Sequence, residues 1–146
     1  MITYNYIDTP SLPLDRPLVA RWLDLVAASY DYRIGNINYI FCSDEHILEV
    51  NRQYLQHDYY TDVITFDYTE QQVLNGDIFI SVDTVRSNAE QFGTDFAQEL
   101  TRIIIHGVLH LTGQADKTPE TKVEMTRKED LAIQQLTTLG KNFIFY

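Results

Sequence analysis

A chain of 146 residues, 45% hydrophobic and 22% charged, has the apolar content for one ordinary core, which excludes intrinsic disorder and leaves little room for a second domain. Its formal net charge of −10 excludes a nucleic-acid binder that works by general attraction to phosphates. No apolar run approaches the roughly 20 residues needed to span a bilayer, and no leader-like segment opens the chain, so a soluble protein without membrane contact is expected. The single cysteine, Cys42, has no internal disulfide partner and is expected as a small buried hydrophobe in a reduced, cytoplasmic setting.

Ile2 to Ile7 reads as a short strand. The prolines Pro10, Pro13 and Pro17 lie too near the start to separate two domains, and no repeat or Gly/Ser linker follows. Asp15 is placed to cap a helix with Pro17 in its first turn, where the missing N–H costs nothing. Leu18, Trp22, Leu25 and Val26 then recur at helical spacing. Ile34 to Cys42 is β-branched and aromatic, and Ser43 after it is a good N-cap for a helix through about Leu55. Thr61 to Phe66 and Asp77 to Ile80 read as neighbouring strands, separated by a polar stretch ending in the turn pair Asn75-Gly76. Ser81 caps a helix that stops before Gly93, and Thr94 or Asp95 starts another that runs to about Thr112. Thr118 and Pro119 open a last helix that stops at Gly140, leaving the apolar tail Phe143 to Tyr146. The whole of 1–146 is expected as one α+β domain, a small mixed sheet covered by helices rather than a repeating βαβ fold.

The chemistry gathers on the helix before Gly113. Residues four apart differ by only about 40° around a helix, so His106 and His110 project from one face and can share a metal ion. Gly113 can take the left-handed conformation that ends a helix, and so bring Asp116 back as a third ligand. Two histidines, a carboxylate and an open position are the arrangement of hydrolytic zinc, which polarises a carbonyl or phosphoryl oxygen and acidifies a bound water. Gly107 inside the helix implies a packing or access reason, such as space kept open beside the metal. Glu99 lies on nearly the same face as His106, placed either to receive a hydrogen bond from its ring or to sit in solvent. The spacing of His106, His110, Gly113 and Asp116 is that of a zincin or metzincin protease site. In those enzymes a glutamate general base, worth roughly 10² to 10⁴ in rate, occupies the position that Gly107 holds here, so peptide hydrolysis is the minority reading.

The segment HGVLHLTGQAD (106–116) resembles the signature of the YbeY-type rRNA maturation factors, metal-dependent endoribonucleases of bacteria. Asn51 to Tyr54, Thr61-Asp62-Val63-Ile64-Thr65-Phe66 and Gly76-Asp77-Ile78-Phe79-Ile80-Ser81 are similar to further segments of that family in the same order. The resemblance implies one divalent ion, zinc foremost, held by His106, His110 and Asp116. It also implies cleavage of single-stranded RNA rather than DNA, processing of the 3′ end of small-subunit rRNA, ribosome quality control, and association with the small subunit and its proteins. Two departures stand out. Asp116 occupies the position of the family's usual third histidine, a harder ligand that shifts preference toward manganese or iron. Leu55 stands where most members carry an arginine implied to touch the RNA backbone, with His57 and Asp58 close by; His57 is either a phosphate contact or a plain loop histidine. Three routes to RNA are open to so acidic a chain: the metal itself, the local cations Arg52, Arg102, Lys117 and Lys122, or docking on basic ribosomal protein. Asp62, Asp67, Asp77, His57 and Glu99 all remain open as the general base. A non-catalytic assembly factor with a structural metal and a metallopeptidase-like hydrolase are the alternatives.

Overall fold

In the computed structural model, which describes residues 1–57 and 61–146, a four-stranded sheet is covered mainly on one face by helices. The elements run β1 (Ile2–Ile7), α1 (Arg16–Ala28), β2 (Arg33–Cys42), α2 (Asp44–Leu55), β3 (Val63–Asp67), β4 (Val73–Ser81), α3 (Val82–Phe92), α4 (Phe96–Leu111) and α5 (Pro119–Thr138). The strand order is β1-β2-β4-β3, with β1, β2 and β4 parallel and β3 antiparallel at an edge. The mixed α+β sheet is as expected, and it contains one βαβ crossover, β1-α1-β2. No helix among the described residues is long and apolar enough to cross a membrane.

Helix boundaries follow their caps. The side chains of Asp15, Ser43, Ser81 and Thr118 each accept a backbone N–H of the first turn, satisfying donors that the helix cannot. Asp95 occupies the N-cap of α4 without a side-chain bond. The hairpin between β3 and β4 departs from expectation: Gln71 and Gln72 take the two left-handed positions, closed by Glu70–Val73 hydrogen bonds of 3.2 and 2.9 Å. Asn75 and Gly76 lie inside β4. What demands a glycine at 76 is proximity, since a Cβ there would lie 2.7 Å from the Phe66 carbonyl oxygen and 2.8 Å from Leu111 of α4.

The principal core lies between one sheet face and α1, α3, α4 and α5, with Trp22, Ile37, Tyr39, Phe41, Leu74, Ile78, Leu100 and Ile104 buried in it. Two of its polar side chains are bonded: the Trp22 indole donates to the Ala132 carbonyl at 2.7 Å and the Tyr39 hydroxyl to the Ile104 carbonyl at 3.0 Å. A smaller cluster of Cys42, Ile47, Val50 and Ile64 lies under α2 on the opposite face. Burial raises the Cys42 thiol to about 12, as suits a thiol that serves as packing.

Helix α4 is apolar over most of its circumference, with Ile103, Ile104, Ile105, Val108, Leu109 and Leu111 buried. Gly107 lies against β4, where an added Cβ would meet Ile78 at 2.9 and 3.0 Å. Its role is therefore packing, and it keeps no space open beside His106. Replacing Gly107 by alanine adds a methyl to a filled contact, which costs about 1–3 kcal/mol and outweighs the ~1 kcal/mol that alanine gains in a helix. Chemical denaturation is expected to show a net loss of order 1 kcal/mol for Gly107→Ala; a more stable variant would refute this packing account.

Candidate metal centre

The C-terminal two turns of α4 aim both imidazoles into a cleft of about 420 Å³ lined by Asn51, Leu55, His57, residues 61–65, His106, His110, Asp116 and Lys117. At the helix end Gly113, with φ +94°, donates to the His110 carbonyl at 2.9 Å, and Gln114 N–H reaches the Leu109 carbonyl at 3.2 Å. This is a Schellman closure, and it reverses the chain so that Asp116 returns over the histidines. The Gln114 carbonyl meets His110 Nδ1 at 2.9 Å, so one turn both stops the helix and orients a ring.

His106 Nε2 and His110 Nε2 are 3.0 Å apart, and Asp116 Oδ2 is 3.3 Å from each. Ligands held about 2.0–2.1 Å from a tetrahedral zinc ion lie roughly 3.3 Å from one another, so the triangle fits one such ion. The donor chemistry agrees. A carbonyl oxygen only accepts, so His110 Nδ1 carries a hydrogen; His106 Nδ1 faces the Glu129 carboxylate at 2.6 Å and does the same. Both Nε2 lone pairs then point inward beside a carboxylate oxygen, an arrangement that repels itself unless a cation or proton sits among them.

The partner of the His106 ring is Glu129, which no local spacing marks as a site residue, and not Glu99, one of whose two expected places was beside the ring. Glu99 instead accepts the Thr94 hydroxyl at 2.8 Å. Glu129 is buried on α5 along the stripe of Met125, Ala132 and Leu136, and an acid on an apolar stripe is the one signal the sequence carries for it. Its second oxygen takes Arg102 Nη1 at 2.8 Å, while Arg102 Nη2 binds Asp130 at 2.7 Å. Arg102 is thereby committed to holding Glu129 and does not line the cleft. This chain of contacts fixes the His106 ring from outside, as partners of metal-bound histidines do.

Burial alone would lower the His106 pKa, but the hydrogen bond and charge of Glu129, then the charges of Asp116 and Asp62, outweigh it and raise the ring above its ordinary value. His110 moves the other way, lowered by burial and then by the neighbouring positive His106. Asp62 is raised, chiefly by burial, against the opposing pull of His106. Among the five acid-base candidates, Asp62 and His57 line the cleft. Asp67 caps the Thr69 N–H at 2.9 Å, Asp77 accepts from Asn38 at 2.8 Å, and neither reaches it. Gln56, in the left-handed conformation after α2, turns His57 so that its N–H bonds the Asn51 carbonyl at 3.1 Å. Leu55 lines the same cleft, Lys117 supplies a cation there, and Lys122 lies on α5 outside it. Asp58 lies outside the described residues.

A family model described as Endoribonuclease YbeY matches residues 13–137. A relative of that description from Parabacteroides distasonis is 56% identical over 129 residues, 88% of this chain and 91% of its own. Another, from Bacteroides thetaiotaomicron, is 54% identical over 132 residues, covering 90% and 96%. The solution structure of a Thermotoga maritima protein superposes with a TM-score of 0.63 at 26% identity, covering 92% of this chain and 89% of that one.

In the metal-free protein, NMR titration is expected to place His106 above and His110 below the ordinary histidine value, and Glu129→Gln to bring His106 down. Because the His106 pKa is raised on folding, its pairing with Glu129 stabilises the metal-free fold fully below about pH 6.5 and fades as pH rises through the raised value. Identical midpoints for the two rings would contradict this geometry.

Proposed function

We propose, from the premise that this chain belongs to the endoribonuclease YbeY family, that it is a metal-dependent endoribonuclease that cuts single-stranded RNA. In this reading it works in the cytoplasm on rRNA, the 3′ end of the small-subunit rRNA foremost, and in ribosome quality control. Its ion is zinc. The observation that carries the reading is the convergence of His106 Nε2, His110 Nε2 and Asp116 Oδ2 in a cleft that stays open on its other side. A structural zinc site closes with a fourth protein ligand, and an open one leaves a coordination position for chemistry.

Bound there, a divalent ion supplies a Lewis acid for a phosphoryl oxygen and acidifies water. The protein's own groups do the rest. Glu129, held by Arg102, keeps the His106 ring oriented. Asp62, raised by burial and facing the cleft beside His106, is the group that receives a proton from the attacking oxygen. Lys117 and His57 meet the phosphate charge in place of the arginine that Leu55 replaces. The acidic surface of a chain with net charge −10 fits docking through basic ribosomal protein better than through bare RNA. Gly107 faces Ile78 and so brings no carboxylate to the ion, which disfavours a peptidase.

Purified chain loaded with zinc is expected to bind one ion and cut single-stranded rRNA fragments. His110→Ala should lose both the ion and cleavage. Asp62→Asn should keep the ion and lose at least roughly 10²-fold in cleavage rate. Zinc-loaded protein that leaves RNA intact would overturn the endoribonuclease reading, and full activity in Asp62→Asn would remove that residue from the mechanism.

A further inference from the structure

The cleft has a wall that the reaction so far leaves unused: the outer edge of β3. In an antiparallel pair, alternate residues turn their backbone groups toward the partner strand and the rest turn them outward. Ser81 N–H donates to the Asp62 carbonyl at 2.9 Å and Tyr68 N–H to the Asn75 carbonyl at 2.8 Å. The even-numbered residues of this strand therefore bond β4, and Val63 and Thr65 present their main chain to the free edge. Val63 is partly occupied there, because its N–H lies under the influence of the Asp62 carboxylate and its carbonyl receives the Thr61 hydroxyl at 3.5 Å. Among the described residues Thr65 has no such local partner. Its N–H and carbonyl face outward side by side, and it lines the cleft that holds His106, His110 and Asp116.

We infer that the main chain of Thr65 is a substrate-holding element of this cleft: its N–H takes a phosphate oxygen of the RNA and its carbonyl takes a ribose 2′-hydroxyl. This inference rests on the endoribonuclease reading and adds to it a means of telling RNA from DNA. Phosphate oxygens only accept and the 2′-hydroxyl can donate, so an outward donor beside an outward acceptor matches one nucleotide of an RNA strand. A DNA strand fills the donor alone. A free sheet edge can also pair with an extended peptide. Here Lys117 lines the same cleft as Thr65, and a cation in that cleft favours an anionic strand. Main-chain recognition also explains how a cleft lined by Leu55 in place of an arginine still grips a backbone, without regard to base sequence.

The test removes one hydrogen. Thr65→Pro deletes the outward N–H at a position that makes no ladder bond to β4, and proline is tolerated on edge strands of this kind. Thr65→Val keeps the N–H and the β-branched shape while removing the hydroxyl. If Thr65→Pro does not fold, replacement of the Thr65 amide by a backbone ester makes the same deletion. With zinc content checked in each variant, binding of a fluorescent single-stranded RNA oligonucleotide is measured beside DNA of the same sequence. The unaltered chain and Thr65→Val are expected to prefer RNA by about tenfold, and Thr65→Pro or the ester to lose about tenfold or more in RNA affinity, the effect of one charge-assisted hydrogen bond. Equal binding of RNA and DNA by the unaltered chain overturns the inference, as does Thr65→Pro binding RNA as well as Thr65→Val. Displacement of RNA by an extended uncharged peptide at lower concentration than by unlabelled RNA overturns it in favour of a peptide track. Failure here is distinguishable from failure of the function itself. Unaltered protein that cuts no RNA defeats the endoribonuclease reading, whereas cleavage with the same KM in Thr65→Pro and Thr65→Val defeats only the role of this edge.

Discussion

Everything at the site depends on how closely α4 lies on β4. That approach is set by two absent side chains, at Gly107 above Ile78 and at Gly76 beneath Leu111. With the helix axis fixed by this contact, the last turn of α4 emerges beside the β3 edge. The same contact bears on the chemistry. A glutamate at 107 could enter only by displacing Ile78 or lifting the helix, so peptidase chemistry is disfavoured by packing as well as by composition. The residue that makes the helix fit the sheet is the residue that removes the protease base.

On that platform the site is assembled from three separate parts of the chain. The helix gives two histidines at one-turn spacing, the Schellman turn at Gly113 gives Asp116 and the carbonyl that orients His110, and α5 gives the Glu129 that orients His106. Both rings are thus held from behind by acceptors, which fixes the tautomer that leaves Nε2 free. Holding three acceptor atoms together costs free energy that only a proton or a cation relieves. In the metal-free protein the raised pKa of His106 comes first from Glu129 behind the ring, with the charge of Asp116 in front of it adding to the shift.

Local signals carried much of this into the sequence. Capping residues at Asp15, Ser43, Ser81 and Thr118 act over three or four residues, and the spacing of His106, His110, Gly113 and Asp116 spans only eleven. The structure brings His106, His110 and Asp116 together. What stayed illegible acts over long separations or through steric detail. Glu129 lies 23 residues from the ring it contacts and reaches it only because α5 packs on α4. Glu99 was the nearer acid on the right helix, yet the Thr94 hydroxyl holds it. Asn75-Gly76 carried the strongest turn signature but lies in a strand, because Gly76 is required by the approach of Phe66 and Leu111 and the turn falls to two glutamines. Arg102 is a local cation by sequence, but two carboxylates, one of them 27 residues away, hold it. Strand order, too, follows from pairings between distant segments.

The central claim is that these three side chains hold one metal ion, and X-ray absorption at the zinc edge of the loaded protein addresses it directly. The account predicts two imidazole nitrogens and carboxylate or water oxygens, all at about 2.0–2.2 Å, with one imidazole lost in His110→Ala. A shell of oxygens alone, or a spectrum unchanged by that substitution, would contradict it.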